Sequence, residues 1–116
     1  MLYSTLTRTT NFGDPVVACS GGAATDIRNS LIVNESNMAG EELDCDANVV
    51  TSVLEASTSP TDWMSGFDSG NYELTSPDIA WLTAATWMAG DPPTDIDGTP
   101  RPTVDGTEDV AGAHIP

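Results

Sequence analysis

Short apolar runs recur along the chain, each bounded by polar turn residues. Leu2-Tyr3-Ser4-Thr5-Leu6, Arg28-Asn29-Ser30-Leu31-Ile32 and Val50-Thr51-Ser52-Val53-Leu54 align on their serines, which lie 26 and then 22 residues apart. A second apolar point follows in each unit: Val16-Val17-Ala18-Cys19, Leu43-Asp44-Cys45 and Met64-Ser65-Gly66-Phe67. Strands this short, rich in β-branched and aliphatic residues and separated by turn chemistry, bury their apolar face only against the equivalent strand of the next unit. Stacking the units sets equivalent positions about 4.8 Å apart, the ordinary inter-strand spacing. Residues 1–72 are therefore expected to form about three turns of a parallel β-helix, right-handed by the usual crossover preference, within an all-β chain.

From residue 73 the pattern changes, and residues 73–116 are expected to form a C-terminal helix and capping tail. Ser76 suits a helix N-cap, Pro77 its first position and Asp78 its dipole, and Gly90 suits its end. Between them Ile79, Trp81, Leu82, Ala84, Ala85 and Met88 fall on one broad stripe at helical spacing, which predicts a short lid over the open end of the coil. Asp91 to Pro116 is punctuated by Pro92-Pro93, Gly98, Pro100, Pro102, Gly106 and Gly112 and reads as loop.

Charge narrows the partners. Eighteen acids stand against three arginines in 116 residues, with no lysine, for a net charge of −15. Nucleic acid and anionic membranes are recognised by clustered basic side chains, so both are excluded as partners. The 39% hydrophobic content, with three Trp, two Tyr and two Phe, favours a folded chain over disorder. No apolar run approaches the ~18 residues that cross a bilayer, and Met1 to Arg8 lacks the layout of a signal peptide. The repeat opens almost at Met1 with no atypical capping unit before it, which predicts a C-terminal piece of a longer protein.

The repeated polar positions read as architecture. Ser4, Ser30 and Ser52 are expected to form an internal ladder, since the only histidine, His114, is remote in sequence and a nucleophilic serine needs an adjacent base. Cys19 and Cys45 each lie fifteen residues beyond the serine of their own unit and so stack in register. They form either a disulfide or a pair of buried thiols. In-register parallel positions keep their Cβ atoms too far apart for an unstrained bridge, which favours thiols.

Asp95 and Asp97 before Gly98 resemble half of an EF-hand loop. Pro93 and Val104 occupy positions where that loop needs further oxygen ligands, so an EF-hand is excluded. The favoured reading is a clamp in which Arg101 bonds one or both carboxylates and pins the tail. An irregular Ca²⁺ site at Asp95 and Asp97, or at Asp44 and Asp46, is the alternative, and no other cofactor is implied. Glu41, Glu42, Asp44 and Asp46 cluster in the second unit as the nearest thing to a carboxylate groove, and read first as a solvated loop.

The tail, Asp95-Ile96-Asp97-Gly98-Thr99-Pro100-Arg101-Pro102 followed by Asp109-Val110-Ala111-Gly112-Ala113-His114, resembles the C-terminal signature of bacterial right-handed parallel β-helix proteins, the pectate-lyase-like solenoids: a D-x-D-G-x-x-R-P loop and then a D-I-G-A-aromatic-E ending. Asn71-Tyr72-Glu73-Leu74-Thr75-Ser76-Pro77 is similar to that family's Y-x-L-x-x-x-S-P link, and Arg28-Asn29-Ser30-Leu31-Ile32-Val33 to its N-S-I-I turn. His114 and Ile115 stand where the family has an aromatic and an acid. The resemblance implies a secreted or cell-surface bacterial protein with a structural, adhesive or capping role and no catalytic residues. Self-association through the open edge at residues 1–10 is then expected. A fragment of a polysaccharide-active enzyme ranks second, though the scarcity of basic residues disfavours a lyase acting on acidic polysaccharide. A Ca²⁺-binding or glycan-binding module, with Trp63 as its platform, ranks third.

Overall fold

The computed structural model describes residues 1–8, 15–19, 25–34, 43–44, 46–56, 64–66, 69–71, 73–75 and 80–116. The chain is all-β, built from small sheets. Its strands are β1 (Thr5–Arg8), β2 (Val17–Ala18), β3 (Thr25–Arg28), β4 (Leu31–Asn34), β5 (Leu43–Asp44), β6 (Ala47–Val50), β7 (Val53–Ala56), β8 (Met64–Ser65), β9 (Glu73–Leu74), β10 (Ala85–Trp87) and β11 (Thr107–Asp109). Strands β1, β4 and β7 form one parallel sheet in the order of the repeat, with Thr5 opposite Leu31 and Leu31 opposite Val53. Strands β3 and β6 pair in parallel, as do β2 and β5. The pairs β8–β9 and β10–β11 are antiparallel.

The corner between β3 and β4 is made by Asn29, which adopts φ 54°. Its counterparts Tyr3 and Thr51 adopt φ 44° and 48°, so the residue before each serine is left-handed. Asn tolerates this region, whereas Tyr and above all the β-branched Thr do so at a cost met by the surrounding packing. Each serine then closes its own corner. The hydroxyls of Ser4, Ser30 and Ser52 donate to the carbonyls of Leu2, Arg28 and Val50 at 3.2, 3.0 and 3.0 Å. The Ser30 hydroxyl also accepts the Ser4 N–H at 3.2 Å, and the Ser52 hydroxyl accepts the Ser30 N–H at 2.9 Å. The expected ladder is thus present, and it runs from hydroxyl to backbone amide. It satisfies peptide groups that a corner would otherwise leave bare.

Strand β4 is buried along its whole length. Leu31 and Val33 share one face by the two-residue alternation of a strand, and there they join Met64, Leu74 and Val110, flanked by Leu82 and Ile115. Ile32 points the other way and is fully buried, as is Ile27 on β3. A second cluster gathers Tyr3, Ala85, Trp87 and Ala111. The C-terminal segment therefore packs laterally on the strands.

The helix predicted from Ser76 to Gly90 is corrected. Residues 76–79 lie outside the described residues, Ala80–Thr83 make one 3-10 turn, and Ala85–Trp87 are strand. The reason is tertiary: the Asn29 side chain takes the N–H and C=O of Thr86 on one edge while β11 pairs with β10 along the other, so a pattern that fits a helix is drawn into a sheet. Gly90, at φ 102°, closes a tight turn in which the Asp91 N–H bonds Met88 O at 2.9 Å. The cysteine expectation is corrected too, since Cys19 is disulfide-bonded. Cys45, the other cysteine of the sequence, lies outside the described residues.

Candidate functional site

Arg101, Asp95 and His114 organise the region where the tail meets the first strands. Arg101 is buried. It donates to Asp109 Oδ2 at 2.9 Å, Val110 O at 3.2 Å and Gly112 O at 2.8 Å, and its guanidinium lies 3.9 Å from the centre of the Tyr3 ring. A planar, fixed-charge fork suits this job, because it can bond two carbonyls and a carboxylate while stacking on an aromatic face. The Tyr3 hydroxyl has no hydrogen-bond partner within bonding geometry. Burial first, and then the nearby Asp109 carboxylate, push its pKa well above the ordinary tyrosine value.

Asp109 replaces the partners expected for Arg101. Asp95 is unavailable to the guanidinium because its oxygens serve the backbone: Oδ1 accepts from Asp97 N at 2.9 Å and Thr99 N at 2.8 Å, and Oδ2 accepts from Ile115 N at 2.9 Å. Burial alone would raise the Asp95 pKa, but these N–H donors outweigh it, with help from nearby His114, and hold the carboxyl below its ordinary value. Asp97 stays largely exposed, with Oδ2 3.5 Å from His114 Nε2. The other imidazole nitrogen, Nδ1, accepts the Leu74 N–H at 3.2 Å.

Asp95, Asp97 and His114 bring three ligand atoms within 4.8 Å of one another, the spacing a cation would need. Their chemistry fits an anchor better. A neutral imidazole that accepts at Nδ1 carries its proton on Nε2, so the nitrogen facing Asp97 has no lone pair to offer a metal. Three of the four lone-pair positions of Asp95 are already spent on N–H groups. We therefore assign the group to holding the tail. Asp44 and Asp46 join no ligand group among the described residues. Glu41, Glu42 and Trp63 lie outside them.

A second anchor escaped sequence reasoning. Arg28 forms a two-pronged ion pair with Asp91, one arm at 2.9 Å from Oδ2, and Asp91 also accepts the Met88 N–H at 2.9 Å. Asn29 beside it bonds Thr86, and its Oδ1 accepts the Thr51 hydroxyl at 2.5 Å. The available signal was arithmetic: arginines are few and carboxylates many in this chain, so Arg28, like Arg101, had acids on every side to choose from.

Two concavities flank the anchors. A cleft of about 260 Å³ is bounded by Thr5, Asn71, Glu73, Ile96, Asp97 and His114. A groove of about 360 Å³ runs over Leu2, Asp26, Arg28, Asn48 and Val50, with no aromatic side chain among its described lining residues. Among the described residues no helix is long and apolar enough to cross a membrane. No protein-family model matches the chain, and neither a curated protein nor a solved structure matches it.

Proposed function

We propose that the chain is a structural unit, the C-terminal segment of a secreted or cell-surface right-handed parallel β-helix protein, and that it associates through the outer edge of β1. The observation that carries this reading is the in-register parallel order β1–β4–β7, in which each strand pairs with the equivalent strand of the next repeat. The right hand follows from the crossover preference for parallel strands. A non-catalytic role agrees with how the reactive groups are used. The repeated serine hydroxyls donate to backbone carbonyls, and the single imidazole is engaged on both nitrogens.

The Leu31 N–H bonds Ser4 O at 2.8 Å, so the alternation of a parallel ladder turns the peptide groups of Ser4 and Leu6 toward β4 and those of Thr5 and Thr7 toward the opposite edge. Such an edge is a template for another strand. Sedimentation over a hundredfold range of concentration tests the proposal: the weight-average mass is expected to rise, and Thr7→Pro, which removes only an outward amide, is expected to abolish the rise. A strict monomer at every concentration, or association indifferent to Thr7→Pro, would overturn it.

A further inference from the structure

We propose that His114 is a pH-sensitive latch between strand β9 and the C-terminal tail. The geometry behind it is a bond of unusual polarity: the imidazole Nδ1 is the acceptor for the backbone N–H of Leu74, at 3.2 Å. An imidazolium has two N–H donors and no acceptor, so adding a proton to His114 removes this bond outright. Leu74 is buried, and its side chain belongs to the cluster around Leu31 and Val33. Its amide is then left facing a like donor. The ring, meanwhile, gains a charge beside Asp97, whose Oδ2 already lies 3.5 Å from Nε2.

The charged groups around the ring set the direction of the exchange. Asp95 and Asp97 come from the loop below it, and Glu73 comes from β9 across the cleft that His114 lines. Asp95 is closed by three backbone N–H groups and Glu73 takes the Asn71 side-chain amide at 3.3 Å, so Asp97, already 3.5 Å from Nε2, receives the imidazolium. Protonation therefore shifts His114 from β9 to the 95–99 loop and loosens the cleft bounded by Thr5, Glu73, Ile96 and Asp97. Histidine is the side chain whose ordinary titration falls between pH 5 and 8, which is the range to be scanned.

The sequence contains one histidine, which makes the test clean. The full chain, labelled with ¹⁵N, is titrated from pH 8 to pH 5 while the imidazole ring protons and the exchange of backbone amides are followed, with exchange corrected for its intrinsic pH dependence. Leu74 amide protection is expected to fall at least tenfold with the same midpoint as the imidazole, while Ile32 in β4 keeps its protection. In His114→Ala, Leu74 is expected to exchange fast at every pH. Constant Leu74 protection through the imidazole titration would overturn the latch, as would a loss shared equally by Leu74 and Ile32. The wild-type titration decides the matter if the variant does not fold.

Discussion

The side-chain amide of Asn29 and the backbone of Thr86 exchange two hydrogen bonds, Nδ2 to Thr86 O at 2.8 Å and Thr86 N to Oδ1 at 3.1 Å. The amide stands in for a peptide group, so one buried side chain acts as the strand partner of β10. It does so from a corner residue of the repeat, and thereby ties the C-terminal hairpin to the first strands. Asn29→Ala deletes both bonds, leaving the half-buried Thr86 N–H without its partner and the Thr86 C=O with only the Arg28 guanidinium at 3.5 Å, which costs about 1–3 kcal/mol. It also puts Ala at φ 54°. Urea unfolding is expected to show that loss with an unchanged m-value.

Arg101 carries the second tie. Its truncation to Met leaves Asp109 buried without its cation, and breaking one side of such a pair costs about 3–5 kcal/mol. Arg101→Lys keeps the charge but loses the fork that reaches Asp109, Val110 and Gly112 together, so a smaller loss is expected. Thermal melts of the two variants should rank wild type above Lys above Met.

Gly112 is fixed by conformation and by space. It sits at φ 101°, and a Cβ there would meet Thr5 Oγ1 at 2.6 Å and Leu31 Cβ at 3.3 Å. The tail crosses the strands at this point through Gly112 N to Asn29 O at 2.9 Å and Ala113 N to Thr5 Oγ1 at 3.0 Å. Gly112→Ala is expected to destabilise by more than the ~1 kcal/mol that an incompatible backbone alone costs. Its partner test is Thr5→Ala, which removes the acceptor of the Ala113 N–H but also clears the nearest atom, so it should cost less beside Gly112→Ala than in the wild-type chain.

Acid should loosen the tail through Asp95. Its folded pKa lies below the ordinary 3.8, so its contribution is complete above that value and is lost as pH falls through the folded pKa. Asp95→Asn removes this dependence, because an amide keeps no charge to lose, and sets an N–H donor against the Ile115 N–H. Stability measured from pH 6 to pH 2 is expected to fall less steeply below pH 4 in the variant.

Reduction tests the Cys19 disulfide. A native disulfide typically stabilises by about 2–4 kcal/mol. Unfolding midpoints with and without a reductant should differ accordingly. A shift near zero would mean that the bridge is not closed in solution.

What the sequence made legible was local. The strands around Ser4, Ser30 and Ser52 could be placed because the same apolar alternation and the same corner recur in each, and their pairing follows from equivalence. The left-handed residue before each serine was invisible, since Tyr3 and Thr51 are poor candidates for that conformation. The tail could be seen as a clamp, but its partner could not be read. Asp95 is two and four residues from the amides it binds and so closes on its own loop, which leaves Arg101 to Asp109. The stretch from Thr83 to Met88 misled because Ala84, Ala85 and Met88, which fit a helical stripe, fit a short strand equally well. Only the distant Asn29 decides between them.

The central claim is that the repeat units stack in parallel, equivalent strand on equivalent strand. Nuclear Overhauser contacts across the backbone test it most directly. The account predicts contacts that join Thr5 to Leu31 and Leu31 to Val53, then Thr7 to Val33 and Val33 to Glu55, in one direction along all three strands. Contacts running in opposite directions along β1 and β4, or a hairpin between β3 and β4, would contradict it.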